Sequence, residues 1–267
     1  MPGNYDIDKI IEGEKLFLIS GPCAIESEEI CFTVAEELRK LSDKYDIPVI
    51  FKSSYAKANR LSGESFSGHG IDFGLNILGK VSKEFDLPIL TDIHETSEAI
   101  RAAEVVDIIQ IPAFLCRQTE LVREAALTGR WINIKKGQFL SPDDMDKIAA
   151  KARSGKVLLT ERGSSFGYHN LVVDFRSLII MRDFGFPIVF DATHSLQLPG
   201  GGGDFSSGQP QFVTPFAKAA VTIGVNGLFV ETHPDPKSAL SDSATMLPLE
   251  NMETLITEVK KISTANQ

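Results

Sequence analysis

Residues that commonly bind metal ions lie at the ends of predicted strands that are far apart along the chain. Cys23 ends the first β-rich segment, within LISGPCAIES, and three further candidates lie at or just after the last two such segments. These are His194, Glu231 and Asp242. In a closed eight-strand barrel the first, seventh and eighth strands are neighbours, so the four side chains would meet at one rim. The sequence therefore predicts a metal site there.

The predicted ligands combine sulfur, nitrogen and oxygen donors, which indicates the class of metal. Such a mixed set with an open position for water suits Zn²⁺ or Fe²⁺ better than Mg²⁺ or Ca²⁺. His233 is a competing ligand, because it lies two residues from Glu231 and would share its strand face. The simpler interpretation also stays open, since an isolated Cys or His in a strand usually belongs to the core.

Cationic and amide side chains also follow the predicted strands. Lys52 and Lys135 end apolar segments, where an unpaired charge would be costly. Several cations at one rim indicate anionic ligands, because guanidinium and ammonium groups pair with phosphate and carboxylate. A solvated, ion-paired rim is the simpler alternative, and Lys135 alone is also a candidate for Schiff-base chemistry. The polar residues after the strands are Lys52, Lys57, Asn59, Arg60, Asp92, His94, Gln110, Arg117, Lys135, Lys136, Gln138, Glu161 and Arg162.

The elements that would position these residues alternate regularly along the chain. Short apolar runs are typical of strands buried on both faces of a parallel sheet. Between them, Ile30, Val34 and Leu38 fall on one stripe, as expected of an amphipathic helix. Ser141, followed by Pro142 and two acids, predicts the start of another helix. The predicted strands are Leu16–Ser20, Pro48–Lys52, Pro88–Asp92, Ile108–Ile111, Trp131–Lys135, Val157–Thr160, Pro187–Asp191 and Gly227–Glu231.

This order of elements predicts a (β/α)₈ TIM barrel, in which residues 1–267 form a single domain. Residues 1–15 are expected to form a short N-terminal extension over the bottom of the barrel. A doubly wound open sheet is the alternative fold. Barrels of this kind commonly have about 250 residues, which suits the length of the chain.

The composition argues against several functional classes. A formal net charge of −9 disfavours general binding of nucleic acid. The sequence has no apolar run near the roughly 18 residues of a membrane helix, and MPGNYDIDKI lacks the features of a signal peptide. Three cysteines, an odd number, favour a reducing compartment over a disulfide framework. We therefore expect a cytoplasmic protein that binds neither nucleic acid nor membranes.

Nine motifs follow one another in an order that resembles a known enzyme family. They are GPCAIES, FKSSYAKANR, TDIHE, QIPAFLCRQT, NIKKGQF, TERGSSFGY, DATHS, ETHPDP and SDSATMLPL. Over about residues 16–249 the chain closely resembles the 3-deoxy-D-manno-octulosonate 8-phosphate synthases. The related 3-deoxy-D-arabino-heptulosonate 7-phosphate synthases share GPC. However, they typically have Lys-Pro-Arg-Thr where this chain has Lys57-Ala58-Asn59-Arg60.

The resemblance implies an activity and a metal requirement. The family condenses phosphoenolpyruvate with D-arabinose 5-phosphate and water, releases inorganic phosphate and serves lipopolysaccharide biosynthesis. Its metal-dependent branch has Cys where the metal-independent branch has Asn, and this chain has Cys23 there. The implied metal is Zn²⁺ or Fe²⁺, with Mn²⁺ as a third candidate. The implied ligands are Cys23, His194, Glu231 and Asp242.

Individual residues also receive roles from the resemblance. We predict His194, Asp92, Lys135 and Cys23 as catalytic residues, with His194 and Asp92 as candidates for moving protons. The residues implied to bind phosphoenolpyruvate are Lys52, Lys57, Gln110, Pro112, Ala113, Lys135, Gln138 and Arg162. The residues implied to contact the sugar phosphate are Asn59, Arg60, Ser62, Asp92 and Arg117.

Two of these positions carry further implications. Arg117 matches a residue that reaches the sugar phosphate of a neighbouring subunit, so a homotetramer is implied. Leu61 stands where the family usually has Ser, which would remove a hydrogen bond worth about 1 kcal/mol unless Ser62 replaces it. This departure concerns sugar affinity and not the reaction class. A heptulosonate phosphate synthase and a non-catalytic phosphosugar-binding relative remain the alternatives.

Overall fold

The computed structural model describes residues 5–57, 68–153, 155–201 and 207–266, and parallel strands form a closed barrel at its centre. Each strand pairs in parallel with the next, and β1 pairs with β8 from Phe17 with Gly227 to Gly21 with Glu231. This closure confirms the predicted (β/α)₈ barrel and rules out the open sheet. The strands are β1 (Phe17–Gly21), β2 (Val49–Lys52), β3 (Ile89–Asp92), β4 (Ile108–Ile111), β5 (Trp131–Lys135), β6 (Val157–Glu161), β7 (Ile188–Asp191) and β8 (Gly227–His233).

Helices connect the strands on the outside of the barrel. Val34 and Leu38 are buried on the predicted stripe of α2, and the Ser27 hydroxyl caps this helix by accepting from the Ile30 backbone N–H. The Ser141 hydroxyl likewise accepts from Asp143 N at the predicted helix start. The helices are α1 (Ile7–Glu12), α2 (Glu28–Tyr45), α3 (Ile71–Phe85), α4 (Ala99–Ala103), α5 (Thr119–Leu127), α6 (Met145–Ala149), α7 (Arg176–Arg182), α8 (Val213–Ile223) and α9 (Met252–Asn266).

Four strands begin one residue later than predicted, and in three of them, β2, β3 and β7, the predicted first residue is a proline. Pro48, Pro88 and Pro187 have no backbone N–H to donate to a neighbouring strand. Their carbonyl groups still accept hydrogen bonds of 2.8 to 3.1 Å from the adjacent strands. Each proline therefore stands at the entrance of its strand as an acceptor only.

The N-terminal helix packs against the lower, apolar half of the barrel interior. Ile11 of α1 is fully buried among inward-facing residues such as Phe17 and Trp131. The indole N–H of Trp131 donates to Asp8 Oδ1 at 2.6 Å, and Lys156 Nζ lies 3.0 Å from the same oxygen. Because Trp131 is the first residue of β5, these contacts place α1 at the N-terminal ends of the strands.

The inner face of the barrel changes from apolar to polar toward the C-terminal ends of the strands. Side chains two residues apart share a strand face, so on each strand an apolar inward-facing residue is followed, two positions later, by a polar one. These pairs are Ile50 and Lys52, Leu90 and Asp92, Ile108 and Gln110, Val189 and Asp191, and Phe229 and Glu231. We call the polar end, where the strands finish, the C-terminal rim. A layer of buried apolar side chains therefore lies directly beneath a layer of buried polar groups.

The sequence predicts neither a membrane helix nor a disulfide framework. Within the described part of the chain, no helix combines the length and apolar character that crossing a membrane requires. Cys23, Cys31 and Cys116 are all buried and unpaired. None of the three cysteines of the sequence therefore forms a disulfide bond in the structure.

Candidate active site and metal centre

The four predicted metal ligands meet at the C-terminal rim. One donor atom from each lies within 4.8 Å of the others. Cys23 Sγ is 2.9 Å from Asp242 Oδ2, and His194 Nε2 is 3.9 Å from the same oxygen. Closure of β1 onto β8 is what joins Cys23 to residues about 220 positions later. We call Cys23, His194, Glu231 and Asp242 the ligand group.

The chemistry of the ligand group fits a divalent cation. Glu231 Oε2 is buried and has no hydrogen-bond partner among the described residues, although His194 Nε2 lies 3.4 Å away. Burial, together with Asp242 and Glu231, raises the pKa of the Cys23 thiol well above its usual value. A divalent cation would relieve both costs, because it would bind the orphaned oxygen and favour the thiolate.

His233 does not belong to the ligand group, so the structure does not support it as the competing ligand. Its Nε2 lies 4.0 Å from Glu26 Oε1, and its Nδ1 accepts a hydrogen bond from Asp235 N at 3.0 Å. β8 extends to His233, two residues beyond the predicted end. The ring is therefore carried past the level of Glu231 and lies beside the loop that follows β1.

Asp191 holds the imidazole of His194. Its Oδ2 lies 2.7 Å from His194 Nδ1, and a carboxylate can only accept, so Nδ1 donates. Asp191 Oδ1 accepts from the backbone N–H groups of Thr193, at 3.1 Å, and His194, at 2.8 Å. Although burial opposes it, the neighbouring His194 and Lys135 hold the pKa of Asp191 well below its usual value. This arrangement leaves His194 Nε2 directed to the ligand group.

Lys52 and Lys57 supply positive charge next to the ligand group. Lys52 is almost fully buried, and its Nζ donates to Glu231 Oε1 at 2.5 Å and to the Cys23 carbonyl at 3.0 Å. Lys57 Nζ donates to Ser54 Oγ at 3.0 Å. Burial alone would lower the pKa of Lys57, but the surrounding anionic groups, with Cys23 and Glu231 foremost, raise it. Lys57, a predicted phosphoenolpyruvate ligand, is thus held as an ammonium ion.

Lys135 and Arg162 are two further buried cations of this rim, and both lie near Asp191. Lys135 pairs with Asp191 and lies 3.5 Å from the centre of the Phe229 ring. Burial lowers the pKa of Lys135 to about 8, although Asp191 opposes this shift. Arg162 Nη2 donates to Gln197 Oε1 at 2.8 Å. Because the pKa of Lys135 is so low, its protonation would respond to any anion that binds beside it.

Lys136, which the sequence placed among the rim cations, has a different environment. It is nearly fully buried and lies 3.5 Å from Glu161 Oε1. Its Nζ also lies 3.3 Å from Ser164 Oγ and 3.4 Å from the Leu140 carbonyl. Successive residues of a strand point to opposite faces, so Lys135 faces the barrel interior and Lys136 faces outward.

Buried amide and carboxylate groups line the floor between these cations. Asp92 Oδ2 lies 3.2 Å from His94 Nε2, whereas Asp92 Oδ1 and Gln138 Oε1 are buried without a hydrogen-bond partner in the described ranges. Gln110 Oε1 accepts from Asn133 Nδ2 at 3.0 Å. Orphaned buried acceptors at a polar rim indicate a binding site for hydroxyl or amide donors.

The loop after β4 carries the remaining described candidates. Pro112 precedes a short turn over Ala113–Leu115, and Ala113 is buried at its start. The side chain of Arg117 is exposed, and Arg117 lines a surface cleft of about 580 Å³ together with His94. The structure therefore does not bring Arg117 to the ligand group. The predicted contacts Asn59, Arg60 and Ser62, together with Leu61, lie outside the described residues.

Comparison with known proteins identifies the family of this chain. Residues 5–267 match the DAHP synthetase I family. The chain belongs to this family. Relatives include the 2-dehydro-3-deoxyphosphooctonate aldolase of Cyanothece sp., which is 52% identical over 95% of this chain and 94% of the relative. The proteins of that name from Acidithiobacillus ferrooxidans and Dichelobacter nodosus are 55% identical over 90% and 86%, and 50% identical over 98% and 94%, respectively.

These relatives confirm the resemblance that the nine motifs indicated, because their name denotes the octulosonate enzyme. Within this member of the DAHP synthetase I family, sequence reasoning missed two inward-facing residues. Asp191 appeared only as the end of a predicted strand and the first letter of DATHS, without a role, and its position three residues before His194 was the available signal. Asn133 lies inside an apolar strand, and its Oδ1 accepts from Thr160 Oγ1 at 2.5 Å. A single polar residue in such a strand predicts an inward hydrogen bond, which is the signal that was available here.

Proposed function

We propose that this chain condenses phosphoenolpyruvate with D-arabinose 5-phosphate and water, and that the reaction needs a divalent metal ion. The products would be 3-deoxy-D-manno-octulosonate 8-phosphate and inorganic phosphate, so the chain would act as a carbon–carbon bond-forming transferase of lipopolysaccharide biosynthesis. The single observation that carries the proposal is a set of buried and half-buried cations beside a mixed-donor ligand group. The cations are Lys52, Lys135 and Arg162, which are buried, and Lys57, which is half-buried. The names of the relatives support the choice of substrates.

The buried cations suit phosphoenolpyruvate, which carries a phosphate and a carboxylate close together. Burial strengthens each cation–anion contact, because little water is present to screen it. Lys135 already pairs with Asp191, and burial has lowered its pKa to about 8. A bound anion would raise this pKa again and recover part of the cost of burying the ammonium group.

The reaction requires a bond between C3 of phosphoenolpyruvate and the aldehyde carbon of the sugar. The oxygen of water adds to C2, and the C2–O bond to phosphate then breaks, which leaves the keto group of the product. His94 and Lys57 hold the pKa of Asp92 below its usual value, although burial opposes them. Asp92 is therefore a carboxylate, and its orphaned Oδ1 suits acceptance of a hydrogen bond from a sugar hydroxyl.

The ligand group would hold Zn²⁺, Fe²⁺ or Mn²⁺, each of which would supply a Lewis acid beside the reacting oxygens. Two contacts within the protein already prepare the ligand group for an ion. Asp191 orients the imidazole of His194, and Lys52 balances part of the charge of Glu231. These contacts would fix two donors before any ion binds, which limits the cost of assembling the site.

A heptulosonate phosphate synthase is the alternative substrate assignment, and erythrose 4-phosphate in place of arabinose 5-phosphate tests it. A non-catalytic phosphosugar-binding relative is the second alternative. Faster phosphate release with erythrose 4-phosphate would favour the first alternative. Binding of both substrates without turnover would favour the second.

The deciding experiment measures phosphate release from phosphoenolpyruvate and arabinose 5-phosphate, before chelation, after chelation and after metal is returned. We expect release that chelation abolishes and that Zn²⁺, Fe²⁺ or Mn²⁺ restores. Release that ignores chelation, with the ligand group shown by metal analysis to be empty, would contradict the metal requirement. No release with either sugar phosphate would contradict the synthase assignment.

A homotetramer in the cytoplasm is part of the same proposal. Exposure of Arg117 and of Phe114, whose side chain is 55% exposed, suits a loop that contacts another subunit. The unpaired cysteines suit a reducing compartment. Sedimentation equilibrium tests the oligomer, and a monomeric mass at micromolar concentration would contradict it.

A further inference from the structure

Glu26 connects the two loops that carry Cys23 and Asp242. It lies three residues after Cys23, in the loop that follows β1. Its Oε1 accepts a hydrogen bond of 2.9 Å from the backbone N–H of Leu240, two residues before Asp242. One carboxylate therefore links segments that are more than 200 residues apart in the chain.

The surroundings of this carboxylate are confined. The side chain of Glu26 is 7% exposed, and that of His233 opposite it is 4% exposed. Because His233 Nδ1 accepts from Asp235 N, the neutral ring carries its proton on Nε2, which lies 4.0 Å from Glu26 Oε1. The ring and the Leu240 N–H thus approach the same carboxylate from β8 and from the loop after it.

The segment that Glu26 holds needs external support. Asp242 has a left-handed backbone conformation, with φ of +48°, which is unfavourable for most residues other than glycine. Leu240 is 53% exposed, so apolar packing does not fix it. The Ser241 hydroxyl lies 2.9 Å from Cys23 Sγ. The contacts of Leu240 with Glu26 and of Ser241 with Cys23 therefore both lead back to the loop after β1, whereas Asp242 also lies near His194 after β7.

We propose that Glu26 is a positioning residue for the metal centre, which sets the separation of Asp242 from Cys23 through its hydrogen bond to Leu240. Glu26 is not itself a member of the ligand group. The proposal rests on the proposed function, because it assumes that the ligand group binds a metal ion. It adds that the affinity for this ion depends on the reach of the Glu26 side chain rather than on its charge.

Two variants of the full-length chain distinguish the effect of the length of the Glu26 side chain from the effect of its charge. Glu26→Gln keeps an oxygen at the same distance from the backbone and removes the charge. Glu26→Asp keeps the charge but shortens the side chain by one methylene group. Glu29→Asp is the matched control, because Glu29 is an exposed neighbour at the start of α2. All four proteins are titrated with Co²⁺ alone, and thiolate-to-cobalt charge-transfer absorption reports binding to Cys23.

We expect Glu26→Asp to weaken Co²⁺ binding about tenfold or more, as is usual when a residue that orients a ligand is lost. Glu26→Gln and the Glu29→Asp control should bind Co²⁺ like the wild type. Melting temperatures of the metal-free proteins test for a general loss of stability, which a purely structural role would produce without a change in affinity.

Several results would overturn the proposal. Equal Co²⁺ affinity in Glu26→Asp and the wild type would remove the positioning role, and so would a stronger loss in Glu26→Gln than in Glu26→Asp. If the wild type shows the thiolate-to-cobalt band and all variants reach it with the same affinity, the metal site stands and only the role of Glu26 is refuted. A wild type without any thiolate band would refute the metal site and this inference together, whatever the phosphate-release assay shows.

Discussion

Asp191 Oδ2 lies 2.7 Å from His194 Nδ1, and the same carboxylate forms an ion pair with Lys135. Asp191 of β7 therefore orients His194, a predicted metal ligand, and also holds Lys135, a predicted substrate-binding cation. Its other oxygen accepts from the backbone of the turn that contains His194. The ligand group and the buried cation Lys135 thus share a single anchor, although they were predicted from separate motifs.

Replacing Asp191 by Asn should weaken metal binding about 10-fold to 100-fold, since a neutral amide no longer fixes the imidazole with its Nδ1 proton toward position 191. Isothermal titration of the metal-free protein with Zn²⁺ measures this affinity. Asp183→Asn is a suitable control, because Asp183 is exposed at the end of α7. Unchanged affinity in Asp191→Asn would show that His194 is oriented by other contacts.

The fold was predictable because each strand of a closed parallel barrel is buried on both faces. Short apolar runs at regular spacing then indicate both the element and its neighbours. Boundaries failed where a local rule intervened, as at Pro48, which contributes a carbonyl but no N–H to the ladder. The polar rim was predictable for the same geometric reason, since C-terminal strand ends converge.

Contacts between distant loops were not predictable. Glu26 reaches Leu240, and no periodicity or spacing relates two positions in separate loops. Lys136 was expected at the rim because it is charged and follows a strand, but strand alternation turns it outward to Glu161. Only the exact register at the end of β5 distinguishes it from Lys135.

Replacing Lys52 by Met should destabilise the metal-free protein by about 3–5 kcal/mol, because it leaves the buried Glu231 carboxylate without its partner. The loss should be smaller when metal is present, since the ion would neutralise the same carboxylate. Urea denaturation with and without Zn²⁺ measures both values. An equal loss under the two conditions would contradict a metal ion at Glu231.

Lys136→Met provides the matched control for that measurement. Lys136 is as deeply buried as Lys52 and also faces a buried carboxylate, that of Glu161. We expect this variant to lose stability by the same amount with and without Zn²⁺, and to retain the wild-type KM for phosphoenolpyruvate. If Lys52 binds phosphoenolpyruvate as proposed, the KM of Lys52→Met should rise, because the variant lacks the ammonium group that would contact the anion.

The Asp92–His94 pair should make stability depend on pH. Burial opposes the imidazolium, but Asp92 and Glu98 raise the pKa of His94 above its usual value. A raised pKa stabilises the fold fully below the unfolded-state pKa of about 6.5, and this contribution is lost as pH rises through the folded-state value. His94→Gln should therefore cost more stability near pH 6 than near pH 9. Urea denaturation at both pH values measures the difference, and a difference that is constant with pH would contradict the ion pair.

Replacing Cys23 by Asn should reduce metal affinity about 100-fold or more, because removing a ligand costs at least as much as removing a residue that orients one. If the proposed metal requirement holds, phosphate release should fall in parallel and should recover only at high metal concentration. Asn is close to Cys in size, so a loss of packing at this buried position does not explain such a result. Cys31→Ala is the control, since Cys31 is equally buried within α2 and lies outside the ligand group. Full activity of Cys23→Asn in the presence of a chelator would instead show that the buried cations and Asp92 carry the reaction without a metal ion.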